Sequence, residues 1–167
     1  GSTAATTHLI IGHPTGTNVG KFILGGSGGA VSQTIASLQT TGTAQASQSI
    51  VGGHSTVSTL TVNQSSDTTY AGILGGAGAN ENHLALTKQG GGTLTLTGSA
   101  HTHTGPTTIN GGKLILHGSL AGSLTTTTGT FAPQATPSIA GNFEISSGGK
   151  LEAAHDVILA AAGNVTL

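Results

Sequence analysis

Histidine offers this chain most of its chemistry. Eight histidines outnumber the four lysines plus arginines and also the five carboxylates. They stand at His8, His13, His54, His83, His101, His103, His117 and His155. In SAHTHTG, His101 and His103 are two positions apart, so on a strand both imidazoles point to one face. Two neutral imidazole nitrogens at that spacing can reach one Zn²⁺, Cu²⁺ or Ni²⁺. Two ligands make a weak site, and His117 or a neighbouring chain would have to supply the third. The competing expectation is a polar turn between strands. With unperturbed imidazoles titrating near 6.5, the net charge would swing from -1 toward about +7 as the pH falls toward 5.

The rest of the inventory excludes more than it offers. The carboxylates are Asp67, Glu81, Glu144, Glu152 and Asp156. They are scattered, with Glu144 and Glu152 on different expected strands, whereas glycoside cleavage needs two carboxyls held close together. No GxSxG elbow occurs. The glycine-rich stretches at 25–33 and 75–80 lack the lysine and the following helix of a phosphate loop. The sequence therefore predicts no enzyme and no cofactor. Without arginine, and with only Lys21, Lys88, Lys113 and Lys150, the chain lacks the cation cluster that neutralises phosphates, so no nucleic-acid partner is expected and an anionic membrane surface lacks support. Cysteine is absent, which removes disulfides and thiolate metal sites. The longest apolar run, Val157 to Ala162, is far shorter than the ~20 residues of a membrane-spanning helix.

What must position any of these residues is a set of short strands. STLTV at 58–62, TLTLT at 93–97, KLILH at 113–117 and NFEI at 142–145 alternate with period two. Threonine, valine and isoleucine suit a pleated surface, and glycine pairs between the segments let the backbone turn sharply. Gln33 to Gln48 carries enough alanine and glutamine to suggest a helix, but its threonines favour strand. Charged residues are 5% of the chain against roughly 25% in an ordinary soluble protein, while 35% are hydrophobic, which argues against disorder as well.

GG-x-L-x-L-x-GS occurs at Gly91 to Ser99 and again at Gly111 to Ser119, an interval of roughly 20 residues, at the short end of known repeat periods. Near the C-terminus GNFEI begins at Gly141 and GNVTL at Gly163, nearly the same interval. Repeats at this spacing predict a solenoid whose units bury their apolar faces on one another. The expected fold is all-β: a right-handed parallel β-helix of about seven rungs, each of three short strands. It would form one domain over 1–167 and a rod of roughly 35 Å. Leucine, isoleucine and valine should point inward, with threonine, serine and histidine facing water. A flat threonine ladder for ice binding is unfavoured, because Lys113, Ile115 and His117 interrupt the column below TLTLT.

Leu86 to Leu120, LTKQGGGTLTLTGSAHTHTGPTTINGGKLILHGSL, resembles the autotransporter-associated β-strand repeat, typically close to GTGTLTLTG-NTYTGPTTINGGTL. His101 and His103 stand where that pattern has Asn and Tyr. The resemblance implies a bacterial surface or secreted passenger with no catalysis of its own, acting as stalk, scaffold or adhesin segment. A glycan- or surface-binding module is the alternative, although Tyr70 and three phenylalanines offer little for sugar stacking. The Gly-Ser start and the stop within an apolar alternation suggest an excised piece. Solenoid ends without caps would expose unpaired strand edges, which predicts head-to-tail filaments.

Overall fold

A computed structural model describes residues 6–134, 136–146, 148–153 and 160–167. The chain coils. The first rung is β1 (His8–Ile11), β2 (Lys21–Leu24) and β3 (Ser32–Ile35); the second is β4 (Ser37–Thr40), β5 (Ser49–Gly52) and β6 (Ser58–Asn63), with one 3-10 turn at Gln45–Ser47. The third comprises β7 (Thr68–Tyr70), β8 (Ile73–Leu74) and β9 (Leu84–Gln89), and the fourth β10 (Thr93–Leu96), β11 (Ala100–His101) and β12 (Thr107–Ile109). The fifth is β13 (Lys113–Leu116), β14 (Ser119–Leu120) and β15 (Leu124–Thr126). The sixth is β16 (Thr130–Pro133), β17 (Ser138–Ile139) and β18 (Phe143–Ile145), and the seventh β19 (Lys150–Leu151), β20 (Ala160–Ala161) and β21 (Val165–Thr166).

Every ladder joins a strand to the third one after it, and every pairing between named strands is parallel. Three sheets therefore run along the stack, which is the parallel β-solenoid that the repeats predict. One face is continuous from β3 to β21. The other two are each interrupted once, between β4 and β7 and between β8 and β11.

Register explains the duplicated motif. Leu94 lies over Leu114 and Leu96 over Leu116, so each copy contributes two inward leucines to the same columns. Leu114 in turn lies over Phe131, whose ring packs 5.7 Å from that of Phe143. These side chains are buried, and burial of each large apolar side chain is worth about 1.5–3 kcal/mol. The paired glycines that bracket the motif hold the corners. A Cβ at Gly118 would land on the carbonyl oxygen of Gly98 one rung above, so only glycine lets the two corners stack. Gly112 adds a left-handed backbone, with φ of 61°.

The columns of the outer face read as the sequence suggests. Thr93, Lys113, Thr130 and Lys150 follow one another, so no uninterrupted threonine ladder forms there. The first half of Gln33 to Gln48 is strand, in β3 and β4, and only Gln45–Ser47 turns helically.

Candidate functional site

The expectation that the histidines face water fails at His101 and His103. Alternation continues through SAHTHTG: His101 and His103 are buried while Thr102 and Thr104 are exposed. His101 sits in register with Leu120 and Ile139, inside an otherwise apolar column. A neutral imidazole is compact and mostly carbon, so it fills a core position that strand phase has assigned to it.

The two rings meet edge to face, with centroids 6.5 Å apart. His101 Nδ1 accepts a hydrogen bond from the Leu74 N–H at 3.2 Å, across the break between β8 and β11. The Thr102 and His103 N–H groups both donate to the Leu74 carbonyl, at 2.9 and 3.2 Å. A side-chain nitrogen thus takes the place of a missing ladder acceptor, and the imidazole pair splices the third rung to the fourth. His103 Nε2 lies 2.8 Å from the Thr107 hydroxyl. The other ring nitrogens, His101 Nε2 and His103 Nδ1, are buried without a hydrogen-bond partner.

Burial sets the protonation state. Desolvation pulls His101 down to about 3, with a smaller push from neighbouring His103. Desolvation likewise pulls His103 down to about 4, with a smaller opposing pull from the Leu74 backbone. Both rings stay neutral at pH 5. These two rings therefore contribute nothing to the acid swing in net charge at pH 5.

As ligands the pair is constrained. The lone pair of His101 Nδ1 is already taken by Leu74, so a metal ion there would have to displace that N–H. His117 is exposed at the far end of β13, and no group of three or more His, Cys, Asp or Glu that could hold a metal exists among the described residues.

The carboxylates are individually engaged. Glu81 pairs with Lys21 at 2.6 Å and its carboxyl is held below the usual range, first by that hydrogen bond and then by the Gly78 N–H. Glu152 pairs with Lys113 at 3.0 Å. Asp67 accepts from the Thr93 N–H at 2.7 Å, and Glu144 from the Ser146 hydroxyl at 2.8 Å. His155 and Asp156 lie outside the described residues.

Two buried groups escaped the sequence reading. Lys88 occupies an inward position of β9 between Val62 and Ile109, and its ammonium donates to the carbonyls of Gln89, Gly90 and Gly111 at 2.6, 3.1 and 3.4 Å. Desolvation pulls it down to about 8, against the opposing charge of Asp67. The signal was available in LALTKQ, where Lys88 keeps phase with Leu84 and Leu86. Tyr70 is also buried; desolvation pushes its phenol up, and its hydroxyl donates to the Ile73 carbonyl at 3.1 Å.

A stacked parallel solenoid, with a core of leucine columns and glycine corners, belongs to the structural class of repeat proteins. Within it, residues 86–116 match the family model described as passenger-associated-transport-repeat. That segment runs from β9 to β13, contains both strands of the duplicated motif, TLTL and KLIL, and is similar to a passenger repeat of autotransporters. No curated protein and no solved structure matches the chain.

Proposed function

We propose that this chain is a non-catalytic, load-spanning segment of a bacterial extracellular surface protein, a stalk or scaffold within an autotransporter passenger. The observation that carries this reading is the position of the passenger repeat. Its strands are not a separate unit; they share ladders with the rungs on either side, through β6 to β9 and β13 to β16. Rungs of the repeat and rungs without it thus build one continuous core. No helix among the described residues is long and apolar enough to cross a membrane, so an anchor for such a stalk would lie elsewhere or be of another kind.

The test is display of this segment from its full-length gene. An antibody raised against the folded chain is expected to stain intact cells, and external proteinase K should remove the stain. Staining seen only after permeabilisation would overturn the reading. Head-to-tail assembly of the rods is a finer expectation under the same reading. Negative-stain electron microscopy at rising protein concentration should show filaments that lengthen; dispersed short rods at every concentration would count against assembly.

A further inference from the structure

A groove of about 640 Å³ runs across the outer side of β1 and β4 and is overhung by the corner between β6 and β7. Its size is that of a small-ligand site. The corner is built rigidly. Gln64 is buried, donates through Nε2 to the Thr93 carbonyl at 2.7 Å and accepts from the Thr68 hydroxyl at 3.0 Å. On the opposite wall His8 Nδ1 and the Ser37 hydroxyl lie 2.7 Å apart and tie β1 to β4 across the groove floor.

The walls define the chemistry that fits. Gln39, Asn63, Ser65 and Ser66 bring carboxamides and hydroxyls, which supply donors and acceptors together. Ile10, 51% exposed, adds one apolar patch beside them. No Lys, Arg, Asp or Glu is among the lining residues described. A ring-shaped polyol has the matching surface, with hydroxyls at its edge and C–H groups on its face. An anionic glycan would find no cation, and a lipid chain would find too little apolar wall. We propose that the groove is a binding site for an uncharged oligosaccharide, contacted by Gln39, Asn63 and Ser66 with a sugar ring resting on Ile10.

An uncharged, shallow site of this kind implies weak affinity, with Kd of roughly 0.1–5 mM. The test is titration of the isotopically labelled chain, followed by amide NMR, with maltohexaose, cellohexaose, mannohexaose and chitohexaose, and with a heparin hexasaccharide as the anionic control. At least one neutral hexasaccharide should shift the amides of 36–39 and 63–68 while the heparin fragment leaves them in place. Asn63→Ala combined with Gln39→Ala should raise its Kd about tenfold, and Ser66→Trp, which fills the groove, should abolish the shifts with the remaining spectrum unchanged. Absence of shifts with every neutral sugar at ~10 mM, shifts with heparin alone, or shifts that persist in Ser66→Trp would overturn the proposal.

Discussion

The solenoid has a wide half and a narrow half. In the first rungs His8 lies over Ser37, Lys21 over Ser49 and Ser32 over Thr59, so the circuit is long. After β10 it shrinks by about a third: Thr93 lies over Lys113, Thr107 over Leu124 and Lys113 over Thr130. The inward columns run through both halves as one cluster from Ile11 to Phe143, so the difference lies in the corners. Several narrow corners are short turns in which glycine stacks on glycine, as Gly118 does on Gly98. Wide corners are longer and need internal fastening, which Gln48 and Gln64 supply: both are buried, and Gln48 Nε2 donates to the Asn18 and Ala44 carbonyls at 2.9 and 3.0 Å. The same spare length creates the groove. Core residues make the rod, and corner residues make it particular.

The junction between the halves should be the most acid-sensitive point. His101 and His103 have folded-state values below the ordinary 6.5, so the unfolded chain binds more protons than the folded one between 6.5 and about 4. Stability is then full above 6.5 and is lost as the pH falls below it. The loss expected between pH 7 and 4.5 is on the order of 2–3 kcal/mol per ring, about 5 kcal/mol for the pair. Urea unfolding at the two pH values measures it, and hydrogen exchange at Leu74 and Thr102 should accelerate first. A His101→Leu, His103→Phe variant should flatten the profile; a profile as steep as the parent's would remove the pair from the account.

Leucine truncation tests whether the two halves share a core. Leu114→Ala in the narrow half and Leu60→Ala in the wide half should each lower stability by about 2–5 kcal/mol in a single transition. If only one half of a biphasic melt responds to each change, the column is not cooperative. Gln64→Leu should have the smallest effect, about 1–3 kcal/mol, since it leaves the Thr93 carbonyl without its donor. Its accelerated exchange should be confined to the corner at 63–68.

Much of the narrow half was legible because its corners are short and nearly constant in length, so the strand pattern recurs at a steady interval. TLTLT and KLILH stand out for that reason. In the wide half the strands at 58–63 were equally readable from alternation, but corner lengths vary and conceal which strand stacks on which. The histidine pair was singled out for the right spacing and assigned to the wrong side. Its alternation with Thr102 and Thr104 already placed it in phase with the core. Gln64 and the groove depend on contacts between positions far apart in the chain, such as Gln64 with Thr93, which no local pattern encodes.

The placement of the four lysines bears on resistance to proteolysis. There is no arginine, and Lys21, Lys88, Lys113 and Lys150 all fall within strands. Trypsin-like enzymes cut most readily at exposed loop tips, and here every bond they recognise is woven into a ladder, one of them beside an ammonium sealed among three carbonyls. The folded chain thus offers proteases of that specificity few easily cut bonds, the least protected being Lys150–Leu151 in the exposed two-residue edge strand β19.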